Sequence, residues 1–511
     1  MIAVSNAWKD IHQRFLLPES YIEIECGITD DEAQSVAEAS GTNEAVFSNA
    51  ESVADDVSDV AKYATAELNL WALDGSMSVL PASGGYSNAG YVSDIESTGT
   101  VTLTFPEIRA TAISGITITW SEKYGEYAKV FSVIGKNGAD IISEVTVSDN
   151  KNAVSVVYMP LENYDSIVVT VHEWCLPNRR VRIERIVIGH VLKFGKGDLI
   201  SFAHEQDGDL LSGKIPKYSI EFTLDNSDGR WDPNNPTGMA QYLSERQKLT
   251  VRYGLDVNGV TEWIKAGTFY LSEWYAPPNG LEARFVARDG FEFLIGIEMW
   301  GAMASKMSYM ATSVTRNLWP SDSSVSYDPS LVDYQIEYSP SYTNGIVSTP
   351  AEIVQKCANA ASAILRCDRD GNLYIEPLSK VFTGYNIPLA LSYTYPEITL
   401  SKPLKEVDVD YGGEKSYLLS VAQSGERQTA TNDFIDTEAN AEVVAVWIRD
   451  VLKNRKTISG EFRADPRLDL YDIVRVEDRY GRQLTVAITN IKYTFNGAFR
   501  GSYTGRILEE G

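Results

Sequence analysis

The sequence predicts a mainly β, multidomain protein with minor α content, in which β-barrel and small α+β domains share the chain with an inserted antiparallel β-sandwich. Three observations predict it. The chain has 511 residues, which at about 150 residues per domain gives three or four domains rather than one core. Between Leu68 and Val191 short β runs recur at regular spacing, bounded by Gly, Asn, Asp and Pro, as in a sandwich. Upstream, Ser20 to Ile28 alternates with period two as a lone strand, and its backbone donors stay unmet unless it pairs with 217–225 or a neighbour. The sandwich therefore interrupts another domain.

Composition removes several function classes. Lysine plus arginine number 45 against 70 aspartate plus glutamate, a net charge of −25, and such a surface repels phosphate backbones. Sequence-specific nucleic-acid binding is not expected. No run approaches the roughly 18 apolar residues of a membrane span, and the start Met1-Ile2-Ala3-Val4-Ser5 does not read as a secretory signal. Synthesis in a cytoplasm is expected. Cys26, Cys175, Cys357 and Cys367 are too sparse for a disulfide framework and read as buried thiols. His12, His172, His190 and His204 lack zinc-hydrolase spacing.

In chain order, Ser5 caps a short helix with Trp8, Ile11 and Phe15 on one face, ended by Pro18. Strand 20–28 follows, then an acidic Ser/Ala-rich stretch to about residue 65 that reads as a solvated connector. The sandwich strands are expected at 101–105, 113–120, 128–134, 142–147, 154–159, 167–171 and 181–188. Alternation resumes in 217–226 and continues through 249–253, 263–274 and 281–289. Thr349, Pro350 and Glu352 form a capping box before Ile353, Cys357, Ala361 and Leu365. Asp370-Gly371 turns a hairpin. A second helix carries Val444, Trp447, Val451 and Leu452, and the end is all β. The expected domains are 1–65, 66–191 (sandwich), 192–297 (barrel, with strand 20–28), 298–392 (peripheral α+β) and 393–511 (second barrel-like domain with a helix).

No nucleophile elbow, phosphate loop or dinucleotide fingerprint appears, so no catalytic residue is assigned and no enzyme is expected. Asp207-Gly208-Asp209 and Asp368 to Asn372 carry oxygen ligands of the kind calcium takes, yet neither completes a calcium loop, and turn chemistry explains them better. No cofactor is expected, a structural calcium near Asp74-Gly75-Ser76 being the one candidate. In the sandwich, Tyr86, Tyr91, Glu122, Tyr124, Trp174 and Arg179 lie near strand ends and turns. Flat rings with carboxylate and guanidinium neighbours are the chemistry that holds sugars. Trp71 and Trp120 are as readily core as surface.

Three segments, Leu211 to Pro233, Ala266 to Leu271 with Leu281 to Asp289, and Asp465 to Asp472 with Gly497 to Gly501, together resemble tail proteins of phages and prophages, in particular the T4-type baseplate hub. The resemblance covers about 20–28 and 190–511. It implies tube-like barrels, two per chain, in a homotrimer that matches a six-fold tube, with a distal tail protein, a tape measure protein and other tail-tip proteins as partners. It also implies a virion location at the tail tip. The sandwich ending Arg179 to Gly189 resembles galactose-binding-like, discoidin-type jelly rolls, which implies carbohydrate binding and attachment to a host cell-wall polysaccharide. The alternatives are a hexameric distal tail protein with a carbohydrate-binding insertion and, from another class, a glycan-active enzyme with an appended binding module.

Overall fold

Period-two alternation dominates the chain, and the computed structural model is accordingly mainly β. It describes residues 2–14, 19–41, 64–65, 91–92, 99–120, 125–176, 181, 183–235, 238–277, 280–340, 347–413, 415–496 and 498–510. Two compact units divide it: Met1–Glu25 with Lys193–Gly511, and Cys26–Leu192. The chain passes between them inside two strands, Ser20–Thr29 and Arg185–Phe194.

In the Cys26–Leu192 unit, five antiparallel strands run in the order Glu38–Gly41, Gly99–Arg109, Tyr164–Trp174, Ala128–Asn137, Asp140–Val147. A second sheet orders the end of Ser20–Thr29, Arg185–Phe194, Ile113–Thr119 and Val154–Leu161. Inward residues of both sheets, among them Leu103, Ile116, Phe131, Val157, Val169 and Ile186, form one dry cluster, which makes this a two-layer sandwich. Trp120 is fully buried at its centre, edge-on to Phe131 at 5.0 Å and to Trp174 at 5.9 Å. Its indole N–H donates to Ser155 Oγ at 2.8 Å, so the ring brings no unpaired donor into the core. Gly189 has φ +119, and a Cβ there would sit 2.2 Å from Ile28 O.

The sandwich begins earlier than residue 66. Asp30 accepts from Ala33 N–H at 2.8 Å and starts the helix Asp31–Val36, Ala33 is fully buried in the sandwich core, and Glu38–Gly41 is an edge strand. Gln34 donates to Ile186 O at 3.2 Å and accepts from Ile188 N–H at 2.8 Å, so its amide pairs like a strand residue. Residues 29–41 thus belong to the sandwich instead of a solvated connector, because short capped elements satisfy their own backbone. Residues 42–63 lie outside the described residues.

In the other unit Ser20–Thr29 finds its neighbour in Lys248–Val257, not in 217–225. The order continues through Val260–Tyr275, Glu282–Arg288 and Lys217–Asp225 to Leu199–Asp207. This sheet curls. His204 and Tyr253 stand on strands separated by three others in that order, yet His204 Nδ1 and Tyr253 Oη are 2.7 Å apart. Leu199–Asp207 then pairs with Gln483–Phe495 from Phe202↔Phe495 to Asp207↔Asn490.

Gln483–Phe495 belongs to a closed ring. It pairs with Phe499–Glu510, which pairs with Lys456–Phe462. On its other edge it pairs with Ile473–Glu477, which pairs in parallel with Phe382–Ile387. The run that starts as Phe382–Ile387 bends through Leu389–Leu391 and meets Lys456–Phe462, through Arg463 N–H to Leu391 O at 2.7 Å and Tyr393 N–H to Glu461 O at 2.9 Å. Glu397–Leu400 continues that pairing. The ring therefore starts at 382 rather than 393. Helix Glu438–Leu452 packs on a separate three-stranded sheet of Lys415–Ser420, Leu404–Tyr411 and Glu426–Thr431, with Val444 and Ile448 buried and Trp447 only half-buried.

Between these β regions lie two small sheets, Met303–Lys306 with Gln335–Tyr338 and Val325–Tyr327 with Leu373–Glu376 and Ile364–Cys367. They accompany the helices Met307–Thr315 and Pro350–Ala360. The Thr349 capping box forms: Glu352 N–H donates to Thr349 Oγ1 at 3.2 Å and Thr349 N–H to Glu352 Oε2 at 2.8 Å. At the chain start, Ser5 caps Asn6–His12 through Trp8 N–H at 3.0 Å, and Trp8 and Ile11 are buried.

Candidate functional site

The predicted sugar-binding residues are not brought together among the described residues. Tyr86, Glu122, Tyr124 and Arg179 lie outside them, as do Asp74, Gly75 and Ser76. Tyr91 is described only as backbone, paired in parallel with Ala64. Trp174 is corrected from a surface ring to a core one: it is 3% exposed, and its indole N–H donates to Glu126 Oε2 at 2.9 Å. The cause is a bulge. Val169 and Val171 point inward, and strict alternation would bring Glu173 in, but the register shifts on both sides of Glu173, which turns the parity so that Trp174 enters the core. Among the described residues no group of three His, Cys, Asp or Glu side chains is placed to hold a metal ion.

The polar constellation that the structure does assemble is built on the Asp368–Asn372 turn. Asp368 accepts from Asp370 N–H at 2.9 Å and Asn372 N–H at 2.8 Å, and Gly371 takes φ +92, which glycine adopts without strain. That is turn chemistry. It aims Arg369, 8% exposed, at Asp469: Nε lies 3.0 Å from Oδ1. The same guanidinium donates to Lys265 O at 2.7 Å and Pro466 O at 2.8 Å. One side chain thereby fastens the hairpin Ile364–Glu376, the curled sheet through Lys265, and the 465–472 loop of the closed ring. Trp319 Nε1 donates to Gly371 O at 3.1 Å, and Thr268 Oγ1 to Arg369 O at 3.2 Å.

The 465–472 loop is itself held by buried charge. Asp465 receives Arg467 Nε at 2.9 Å and lies 3.6 Å from His12 Nδ1. Burial works against its carboxylate, but His12 and Arg467 outweigh burial and hold the carboxyl below the usual range. Tyr493 Oη donates to the carbonyls of Asp465 and Leu468, both at 3.0 Å. Leu470 N–H donates to Gln206 Oε1 at 2.7 Å.

Beside Arg369 a cavity of about 20 Å³ is lined by His204, Asp289, Cys367 and Asp469, room for about one water. Burial pushes the Asp289 carboxyl up to about 8. Burial, and then the charge of Arg369, lowers His204 to about 3. Both side chains are therefore uncharged near neutrality, and the site acts as a neutral packed joint around one ion pair. In the sandwich, Ser114 Oγ and His190 Nδ1 are 2.9 Å apart, but His190 Nε2 faces Val157 O at 3.2 Å. A carbonyl only accepts, so Nε2 carries the proton and Nδ1 accepts from Ser114, an arrangement that ties three neighbouring strands together.

Arg369 and Asp469 carried no role in the sequence reading. Their signal was an arginine between two turn aspartates, and an Asp-Pro-Arg-Leu-Asp run with no periodicity of its own.

The chain matches no family model and no curated protein sequence. Among solved structures it is similar to the 43 kDa tail protein of prophage MuSo2 from Shewanella oneidensis, at 15% identity over 62% of this chain and 95% of that one, with a TM-score of 0.45. It is also similar to a tail protein from Neisseria meningitidis, at 12% identity over 62% and 94% with a TM-score of 0.45. Prophage tail protein gp18 from Listeria monocytogenes gives 11% identity over 62% and 90%, with a TM-score of 0.40.

Proposed function

We propose that the chain is a non-enzymatic structural component of a phage or prophage-derived tail tip, a baseplate hub that continues or closes the tail tube. The observation that carries this reading is the edge pairing of two curled β modules within one chain, Leu199–Asp207 against Gln483–Phe495. A subunit with two such modules lets three copies present six, so a trimer can sit under a six-fold tube through heterologous contacts. The resemblance of the segments 211–233, 266–271 with 281–289, and 465–472 with 497–501 to hub proteins supports the same assignment. The Arg369–Asp469 joint suits it, since a subunit under axial load needs its modules fixed to one another.

The Cys26–Leu192 sandwich is proposed as the attachment module, a galactose-binding-like jelly roll that takes a host cell-wall polysaccharide, with Tyr86, Tyr91, Glu122, Tyr124 and Arg179 as its candidate contacts. Several weak sites on one particle would add to firm adhesion. Native mass spectrometry of the assembled protein tests the hub: trimers are expected, and hexamers alone would favour a distal tail protein. Binding of the full chain to host cells, compared with a chain whose residues 30–187 are replaced by a short turn, tests the adhesin. Equal binding by the two would end that role.

A further inference from the structure

The Glu438–Leu452 helix separates charge along its axis. Residues 433–442 carry four carboxylates and no cation, residues 443–448 carry no charge, and residues 449–456 carry four cations and one carboxylate, 4 − 1 = +3, in a chain of net charge −25. A helix dipole favours acids in the first turn and cations in the last. It accounts for neither Glu442 in the second turn nor Arg455 beyond the end. Asp433 pairs with Lys356 at 2.8 Å and Asp450 with Arg449 at 2.7 Å. Among the described residues Glu438, Glu442, Lys453 and Arg455 have no ion pair, and Glu438, Glu442 and Lys453 are exposed. The two glutamates meet only the hydroxyls of Tyr411 and Tyr417.

Each end also carries an apolar surface. Two clefts of about 400 and 530 Å³ open at the basic end and share Asp450, Lys453 and Arg455. Leu400, 55% exposed, lines one of them and Val421, 39% exposed, the other. At the acidic end Val443, 41% exposed, follows Glu442. The two ends therefore match in chemistry and oppose in sign. At 1.5 Å per residue Glu442 and Glu438 stand roughly 16 and 22 Å from Lys453 along the axis, so a rigid helix cannot bring its own ends together. A second molecule can.

We propose that the basic cleft takes the acidic end of the same helix from a second copy of the chain, with Glu438 and Glu442 on Lys453 and Arg455 and with Val443 against Leu400 and Val421. Both halves of the contact are present on one polypeptide. The contact is heterologous, because each copy lends its acidic end to one neighbour and its cleft to another, and such a contact closes into a ring when the rotation allows. Opposite charge at this seam selects the pairing while the remaining acidic surfaces repel. In naming the seam between copies, the proposal rests on the tail-tip reading for the number three alone.

Sedimentation of the full chain over a concentration series tests the contact. Lys453→Glu with Arg455→Glu, and separately Glu438→Lys with Glu442→Lys, should each weaken self-association about tenfold or more. An equimolar mixture of the two variants should regain it, because reversed ends then meet reversed clefts. Unchanged melting curves show that the variants are folded. Two measurements need no variant: raising salt from about 50 to 500 mM should weaken association of the unaltered protein, and carbodiimide should join Glu438 or Glu442 of one copy to Lys453 of another in a mixture of labelled and unlabelled chains. A chain that stays monomeric at every concentration, or association that both reversals leave unchanged, overturns the proposal. Trimers that survive both reversals leave the hub reading standing without this seam. Assemblies of another number that fall apart with either reversal keep the seam and remove the trimer.

Discussion

The sandwich and the ring-bearing unit solve the same problem with different chemistry. The sandwich core is apolar: Trp120, Phe131, Val133, Ile167 and Ile186 meet there, and the Trp120 indole N–H is paired with Ser155 Oγ. The other unit places ion pairs at its joints, Asp465 with Arg467 beside His12 in one group and Arg369 with Asp469 in another. Apolar packing tolerates many arrangements of similar volume, whereas a buried charge accepts only the geometry that pairs it. Modules that must meet in one register gain from the second kind of contact. A module that only has to stay folded does not need it.

The largest effects should separate the two chemistries. Asp469→Ala leaves the Arg369 guanidinium buried without its partner and should cost roughly 3–5 kcal/mol, while Arg369→Met combined with Asp469→Leu should recover most of that loss. Chemical denaturation measures both, and a double variant as weak as the single one would mean that the joint is not governed by the ion pair. Trp120→Ala should cost a comparable amount, about 3–5 kcal/mol, yet no second substitution at a charged residue should rescue it. Calorimetry with hydrogen exchange should place this loss in Cys26–Leu192.

A smaller effect distinguishes the units by pH. Asp289, raised by burial from 3.8 to about 8, contributes stability that is complete below its ordinary value and is lost as pH rises through 8. His204, lowered from 6.5 to about 3, contributes stability that is complete above 6.5 and is lost as pH falls toward 3. Between pH 4 and 6.5 the two slopes cancel. From 6.5 to 8 only Asp289 acts, so the ring-bearing unit should lose about 2 kcal/mol at about 1.4 kcal/mol per pH unit, and Asp289→Asn should flatten that decline. The sandwich should show none of it in the same melts. The smallest effect is at a cap: Thr349→Ala removes the box before Pro350–Ala360 and should cost about 1 kcal/mol.

Much of this architecture was legible from local pattern. Alternation located nearly every sandwich strand, and the Thr349 box located the start of its helix to the residue, although Ala361 and Leu365, read on that helix, fall at its C-cap and in the strand Ile364–Cys367. Pattern failed where parity or pairing is decided at a distance. The bulge at Glu173 reverses Trp174, and nothing in Val171 to Cys175 announces it. The helix Met307–Thr315 went unread because Ser308, Thr312 and Ser313 dilute an apolar face of Met307, Met310, Ala311 and Val314. Residues 30–41 read as acidic connector because their solvated face dominates, although Ala33 and Gln34 do the packing. Of the candidate sites, the sugar-binding residues were named from residue type and their place near strand ends and turns. The Arg369–Asp469 joint joins residues a hundred positions apart, a separation at which no local motif speaks.

The run from Phe382 to Leu400 serves as both the first and the last stave of its hoop, and the bend at Leu389–Leu391 lets one piece of chain reach both neighbours. The hoop is thus fastened by a clasp made from a single length of backbone. Cutting that one length would release both seams together, so the cylinder should spring open as a whole instead of loosening strand by strand.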